Sequence, residues 1–249
     1  MSRAFSLVFA ILCYAIFFAT FLYLIVFVGD LALGSLAPKT VDDPPGTLSV
    51  AAAVITDIAL IALFGVQHSV MARQGFKRAW MKIVPPPVER SLYVLLASLV
   101  LLIMFRFWQP IDAVVWSVRN PIVHDLLFGL FWIGWLTVLV STFLINHFEL
   151  FGLQQAWFHV RGRAAEPPRF QTPLFYKWVR HPLYLGFFLA FWATPEMTAG
   201  HLLLAAGMSV YMVIAIRYEE RDLVAFHGRD YLDYRGRVGM LMPRFRSRA

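Results

Sequence analysis

Apolar residues fall in long blocks along the chain, separated by short polar segments. Four blocks reach the roughly 20 residues that a membrane-crossing helix needs: about 5–28, 49–69, 91–108 and 122–146. Their apolar runs hold no Lys or Arg, apart from Arg106 near the end of the third. A polar, proline-containing loop follows, "HVRGRAAEPPRFQTP". Beyond it the apolar block 182–194 is short, "TPEMTAG" interrupts, and 199–217 is apolar again. These last two blocks predict a helical hairpin with Pro195 near its tip. The second arm is expected to leave the membrane as an amphipathic helix through "RYEERDLVAFH". The pattern therefore predicts an all-α polytopic membrane protein, with four spanning helices, a C-terminal hairpin and an amphipathic tail, as a single domain over 1–249.

Composition agrees. Hydrophobic residues make up 59% of the chain and charged ones 15%, well outside the range of a soluble domain. The first block is too long for a signal-peptide core and lacks a small-residue cleavage site, so it reads as a retained span. The net charge of +7 is set by 22 Lys and Arg. Sorted by alternating sides, 19 of them fall with the two termini, loop 70–90, loop 147–181 and the tail, and 3 fall on the other side. Excess positive charge marks the cytoplasmic side. Both termini are thus expected in the cytoplasm, and the basic surface reads as membrane-facing, with no nucleic-acid partner. Cys13 is the only cysteine, which excludes a disulfide framework.

Ionisable residues in or beside spans are costly and mark function by default. Asp57 lies inside the second span, where it reads as a bond to a neighbouring helix. Arg73, Lys77, Arg78 and Lys82 read as residues whose charged ends snorkel to the interface. The others gather at the cytoplasmic ends: His68, Glu89, Arg90, His147, Glu149, Arg180, His181, Tyr184, Arg217, Glu219 and Glu220. No two histidines stand at i, i+4, and neither HExxH nor CxxCH occurs, so no metal site is expected. Pro182 suits the first position of a helix, which places Arg180 and His181 at an anion-attracting N-terminus. Tyr231 and Tyr234, three apart, share a helix face. Together these groups suit a ligand with an anionic end, a cationic centre and an aromatic ring. Arg180 takes the carboxylate, Glu219 or Glu220 the ammonium, and tyrosines the base or a sulfonium through cation–π attraction. S-adenosylmethionine has all of these parts.

"RHPLYLG" followed by "EERDLVAFHGRDYLDYRGRV" and a later Pro resembles the signature RHPxYxG...EExxL...G..Y..Y...V....P of the isoprenylcysteine carboxyl methyltransferase superfamily. The resemblance implies that the segment of about 176–243 binds S-adenosylmethionine beside the membrane. Arg180, His181, Tyr184, Gly186, Glu219, Glu220, Tyr231 and Tyr234 would line or support that pocket. His227, where many members have Phe, and Gly239, where a proline is common, depart from the pattern in a loop. "FGVQHSVMARQGFK", "ERSLYVLLAS" and "NHFELFGL" are similar to the bacterial NnrU-like branch that contains the methanethiol S-methyltransferases. This implies an enzyme of the bacterial inner membrane that methylates a small volatile thiol reaching it through the lipid bilayer.

The nucleophile in such a reaction is a thiolate. A cysteine thiol has a pKa of about 8.5 and a simple alkyl thiol is no more acidic, so a base helps at neutral pH. His68 and His147 are the candidate bases, and Glu149 is a candidate to orient one of them. Three alternatives stay open on the residues: an isoprenylcysteine or lipid methyltransferase, an NADPH-dependent membrane reductase, and a non-enzymatic membrane protein of the NnrU or nurim type.

Overall fold

The computed structural model describes residues 2–31, 33–163 and 170–244. Residues 164–169 of the proline-containing loop and the last five of the tail, both part of the charge split above, lie outside the described residues.

The four long blocks are helices α1 (Arg3–Val28), α2 (Val50–Ala72), α4 (Pro86–Phe107) and α5 (Pro121–Ile145). Their starts follow local chemistry. Ser49 accepts from Ala52 N to cap α2, and Asn120 accepts from Ile122 N and Val123 N to cap α5, with Pro121 at the first helical position. Helix α4 begins five residues earlier than its apolar block because Pro86 needs no N–H partner there. With the 29-residue α9 (Ala199–His227), five helices among the described residues are long and apolar enough to cross a membrane. Their outward faces carry exposed Leu, Ile, Val and Phe, as a lipid-facing surface must. The chain is an integral membrane protein.

Three short helices run beside the spans: α3 (Gln74–Trp80), α6 (His147–Leu150) and α7 (Leu153–Arg161). All lie at the end of the molecule that carries the basic loops, here called the basic end. The chain then enters α8 (Pro182–Trp192), continues through α9, turns at Gly228 in the left-handed region (φ 57°), and finishes with α10 (Arg229–Arg237).

The expected interruption "TPEMTAG" is not a free hairpin tip. Residues Glu196–Thr198 form strand β2, which pairs antiparallel with β1 (Val114–Ser117), Thr198 opposite Val114 and Glu196 opposite Ser117. The pairing satisfies backbone groups where both chains turn back, and Met197 is fully buried beneath it.

Helix α8 has 11 residues and is about 16 Å long, half the hydrocarbon thickness. It lies on α5, backbone to backbone. A Cβ on Gly134 would stand 2.7 Å from Ala190 N, and one on Gly186 would stand 2.7 Å from Gly134 O and 2.8 Å from Val138 N. That register sets Pro182 about 7 Å short of the Ile145 end of α5. The start of α8 is therefore sunk into the bundle.

Candidate active site

The sunken start of α8 is tied to the tail by backbone and side chain. Arg180 N donates to Gly239 O (2.9 Å) and His181 N donates to Met240 O (3.1 Å). Arg180 is buried and each of its guanidinium nitrogens has a partner within the chain. Nε and Nη2 both reach Glu220 Oε1 at 2.7 Å, and Nη1 donates to the carbonyls of Arg235 (3.2 Å) and Val238 (2.5 Å). His181 Nε2 joins the same carboxylate oxygen at 3.1 Å. One residue of α9 thus holds both residues before α8, and Arg180 holds the end of α10. The arginine expected to receive an anionic ligand is committed to this clasp, because the tail leaves it buried and its donors must be satisfied.

Tyr231 and Tyr234 of α10 are buried with ring centroids 5.9 Å apart, and Phe170 lies edge-on to both. Tyr234 donates to Tyr176 O (2.5 Å), and burial pushes its phenol up to about 12. Burial and then the nearby Glu220 charge push the Tyr231 phenol still higher, so it remains a donor. Its hydroxyl is buried with no partner among the described residues.

Glu219 and Glu220 are adjacent on a helix, so their side chains diverge by about 100°. Glu220 serves the clasp. Glu219 faces the other way, close enough for its charge to act on Tyr184 of α8 and Tyr211 of α9. The same two hydroxyls lie near Tyr93 of α4. Tyr93 and Tyr211 flank His68 of α2, at ring-centroid distances of 5.1 and 6.3 Å, and Phe64 stacks on the imidazole at 5.2 Å and 26°. His68 Nδ1 is buried without a partner, and the ring makes no hydrogen bond within the described residues. His68, Tyr184 and Tyr211 are deeply embedded yet partly accessible. They therefore line an internal cleft at the basic end. Two surface grooves lie elsewhere, one around Leu7 and Trp157 and one around Phe188 and Trp192.

His147 lies apart from this cleft. Tyr14 Oη and Thr142 Oγ1 each stand 2.8 Å from one of its ring nitrogens, and it stacks on Phe143 at 4.2 Å. Thr142 Oγ1 donates to Leu139 O, so it accepts from Nδ1–H, and Nε2 accepts from Tyr14. Both nitrogens are occupied, and burial holds the imidazole below its ordinary pKa. Glu149, expected to orient a histidine, bonds Asn146 Nδ2 instead (2.9 Å). Gly186, expected in the pocket, is the close contact with Gly134 described above. Asp57 accepts from Gln109 N just beyond α4, as a bond between neighbouring elements. Arg73 and Lys77 do not simply snorkel: they pair with Asp222 (3.3 Å) and with buried Glu89 (3.4 Å).

Sequence reasoning missed Tyr93 and Tyr211 as site residues. Each is a hydroxyl inside an otherwise apolar span, in "ERSLYVLLAS" and "GMSVYMVIAI", and such a group calls for a polar neighbour.

The fold and cleft define a polytopic helical membrane protein with an aromatic, acidic cleft at its basic end. No family model and no solved structure matches the chain. It is 50% identical over 243 residues to methanethiol S-methyltransferase of Mycobacterium tuberculosis, covering 98% of each protein. It is 51% identical over 249 residues to methanethiol S-methyltransferase 1 of Bradyrhizobium diazoefficiens, covering 99% of this chain and 86% of that one. Nurim of Bos taurus is 31% identical over 184 residues, 70% of each. The chain belongs to the methanethiol S-methyltransferase family.

Proposed function

We propose that this protein transfers a methyl group from S-adenosylmethionine to methanethiol, giving dimethyl sulfide, from within a bacterial inner membrane. The observation that carries the reading is the unpartnered His68 imidazole in a cleft shared with Glu219, in a chain half identical to named methanethiol S-methyltransferases.

The cleft suits the donor. An acidic side chain among tyrosine rings favours a cationic centre through charge and cation–π attraction. The orphaned Tyr231 hydroxyl offers a buried hydrogen bond to a polar ligand. Glu219, Tyr184 and Tyr231 are the residues that would hold it, with the Arg180–His181–Glu220 clasp fixing the tail over them. S-adenosylmethionine supplies an electrophilic methyl group on a cationic sulfur.

His68 takes the thiol proton. Its Nδ1 is enclosed, so the proton goes to Nε2, the nitrogen left facing the cleft. Tyr93, Tyr211 and Phe64 exclude water from the thiolate, and orientation of two reactants in such a site is worth about 7–11 kcal/mol. His147, with both nitrogens held, is a structural residue. Gly186 and Glu149 are likewise assigned to packing and to the turn after α5.

Membranes from a host that makes no dimethyl sulfide, carrying this protein and given methanethiol and S-adenosylmethionine, are expected to release dimethyl sulfide, read by headspace gas chromatography. The purified protein is expected to gain thermal stability from S-adenosylhomocysteine and none from NADPH. No dimethyl sulfide from the folded protein overturns the reading.

The 19-to-3 division of Lys and Arg supports a cytoplasmic basic end. An alkaline-phosphatase fusion at the C-terminus is expected to be inactive and a fluorescent-protein fusion bright. An active phosphatase reverses the orientation.

A further inference from the structure

The cleft carries a second kind of information, the size of the acceptor. Resting on the reaction proposed above, we infer that Phe64, Tyr93 and Tyr211 form a rigid aromatic chamber that restricts the enzyme to the shortest alkyl thiols, with Phe64 as the size-determining wall.

Three rings surround one imidazole. Phe64 covers a face of His68 at 5.2 Å, Tyr93 leans against it at 5.1 Å, and Tyr211 stands perpendicular at 6.3 Å. Phe64 and Tyr211 also meet edge to face at 5.6 Å, closing the corner between α2 and α9. A substituent on a thiol sulfur held at His68 must lie among these rings.

The walls have little freedom to retreat. Gly65 lies directly under Tyr211, where a Cβ would stand 3.1 Å from Tyr211 Cδ2. One turn away, a Cβ on Gly207 would stand 2.8 Å from Ile61 Cδ1. Helices α2 and α9 are therefore packed at close range beside the chamber and one turn away from it. Phe64 itself is buried within the main apolar core. Close-packed interiors accommodate an added methylene poorly.

An enzymatic pocket discriminates by roughly 10- to 200-fold per methylene. Wild type is expected to lose activity by that order for each carbon added from methanethiol to ethanethiol to 1-propanethiol, measured as kcat/KM. Phe64→Leu is expected to reduce the loss at the first step, and Phe64→Ala to reduce it at both, so that the propanethiol-to-methanethiol ratio rises at least about tenfold. Phe128→Ala, in the half of α5 away from the basic end, leaves the ratio unchanged. A second readout needs no methyl donor. Dipropyl sulfide is expected to raise the melting temperature of Phe64→Ala, diethyl sulfide that of both Phe64→Ala and Phe64→Leu, and neither that of wild type. The conservative Phe64→Leu keeps the test decisive where Phe64→Ala does not fold. Unchanged thiol ratios and sulfide responses in a folded variant, with dimethyl sulfide still made, overturn the chamber alone. Absence of dimethyl sulfide from wild type removes the reaction itself, and the sulfide titrations then still report the size of the cleft.

Discussion

His68→Ala is expected to slow dimethyl sulfide formation by about 10²–10⁴-fold at pH 7, the usual contribution of a general base. Affinity for S-adenosylhomocysteine is expected to stay near wild type, because the imidazole touches Phe64, Tyr93 and Tyr211 and not the clasp. The defect has a direction with pH. Solution supplies more thiolate as pH rises toward the thiol's own pKa, about 8.5 or above. The ratio of wild-type to variant rate should therefore fall steadily from pH 6.5 to 9.5. His147→Ala serves as the contrast. Its loss breaks bonds to Tyr14 and Thr142, so the expected result is a lower melting temperature with no rescue by pH. A His68 variant with wild-type rates across the whole range would remove it as the base.

Arg180→Ala is expected to release the tail. Removing one partner of a buried ion pair costs about 3–5 kcal/mol where the other charge is left uncompensated. The Arg180 and Glu220 side chains are 7% and 13% exposed, but His181 (3.1 Å) and Arg235 (4.0 Å) still face Glu220, so the expected loss lies below that range. The carbonyls of Arg235 and Val238 lose their donor at the same time. The variant should be cut faster by protease between α9 and α10, and its affinity for S-adenosylhomocysteine should fall by at least about tenfold. Lys82→Ala, an exposed change on the same end, should match wild type in both assays. Wild-type proteolysis and affinity in Arg180→Ala would show that the clasp does not position the donor site.

The long helices were legible because each is a single apolar run with a local start signal. The block 49–69 became α2 behind Ser49, and 122–146 became α5 behind Asn120 and Pro121. The sheet was not legible, since Glu196–Thr198 pairs with Val114–Ser117 some 80 residues away and neither segment has a strand-like pattern of its own. The motif "RHPLYLG" marked the start of α8, while the contacts of its residues were not legible. Arg180 and His181 look outward in the sequence, and only the returning tail shows that Glu220 takes both. The two candidate bases were equal on the page. What separates them is Tyr14, 133 residues from His147, which occupies a nitrogen that His68 keeps unbonded.

The short α8 has a consequence for how two unlike reactants meet. Because its start is sunk about 7 Å below the end of α5, the clasp lies within the depth of the long spans, next to the aromatic chamber. On the proposed chemistry, the charged donor arrives from water and the volatile thiol from the bilayer. The bilayer then acts as an extracting solvent, concentrating a dilute apolar gas at the protein. The working concentration of the acceptor is set by its partition coefficient, and an apparent KM stated per volume of water should shift with the amount of lipid in the assay.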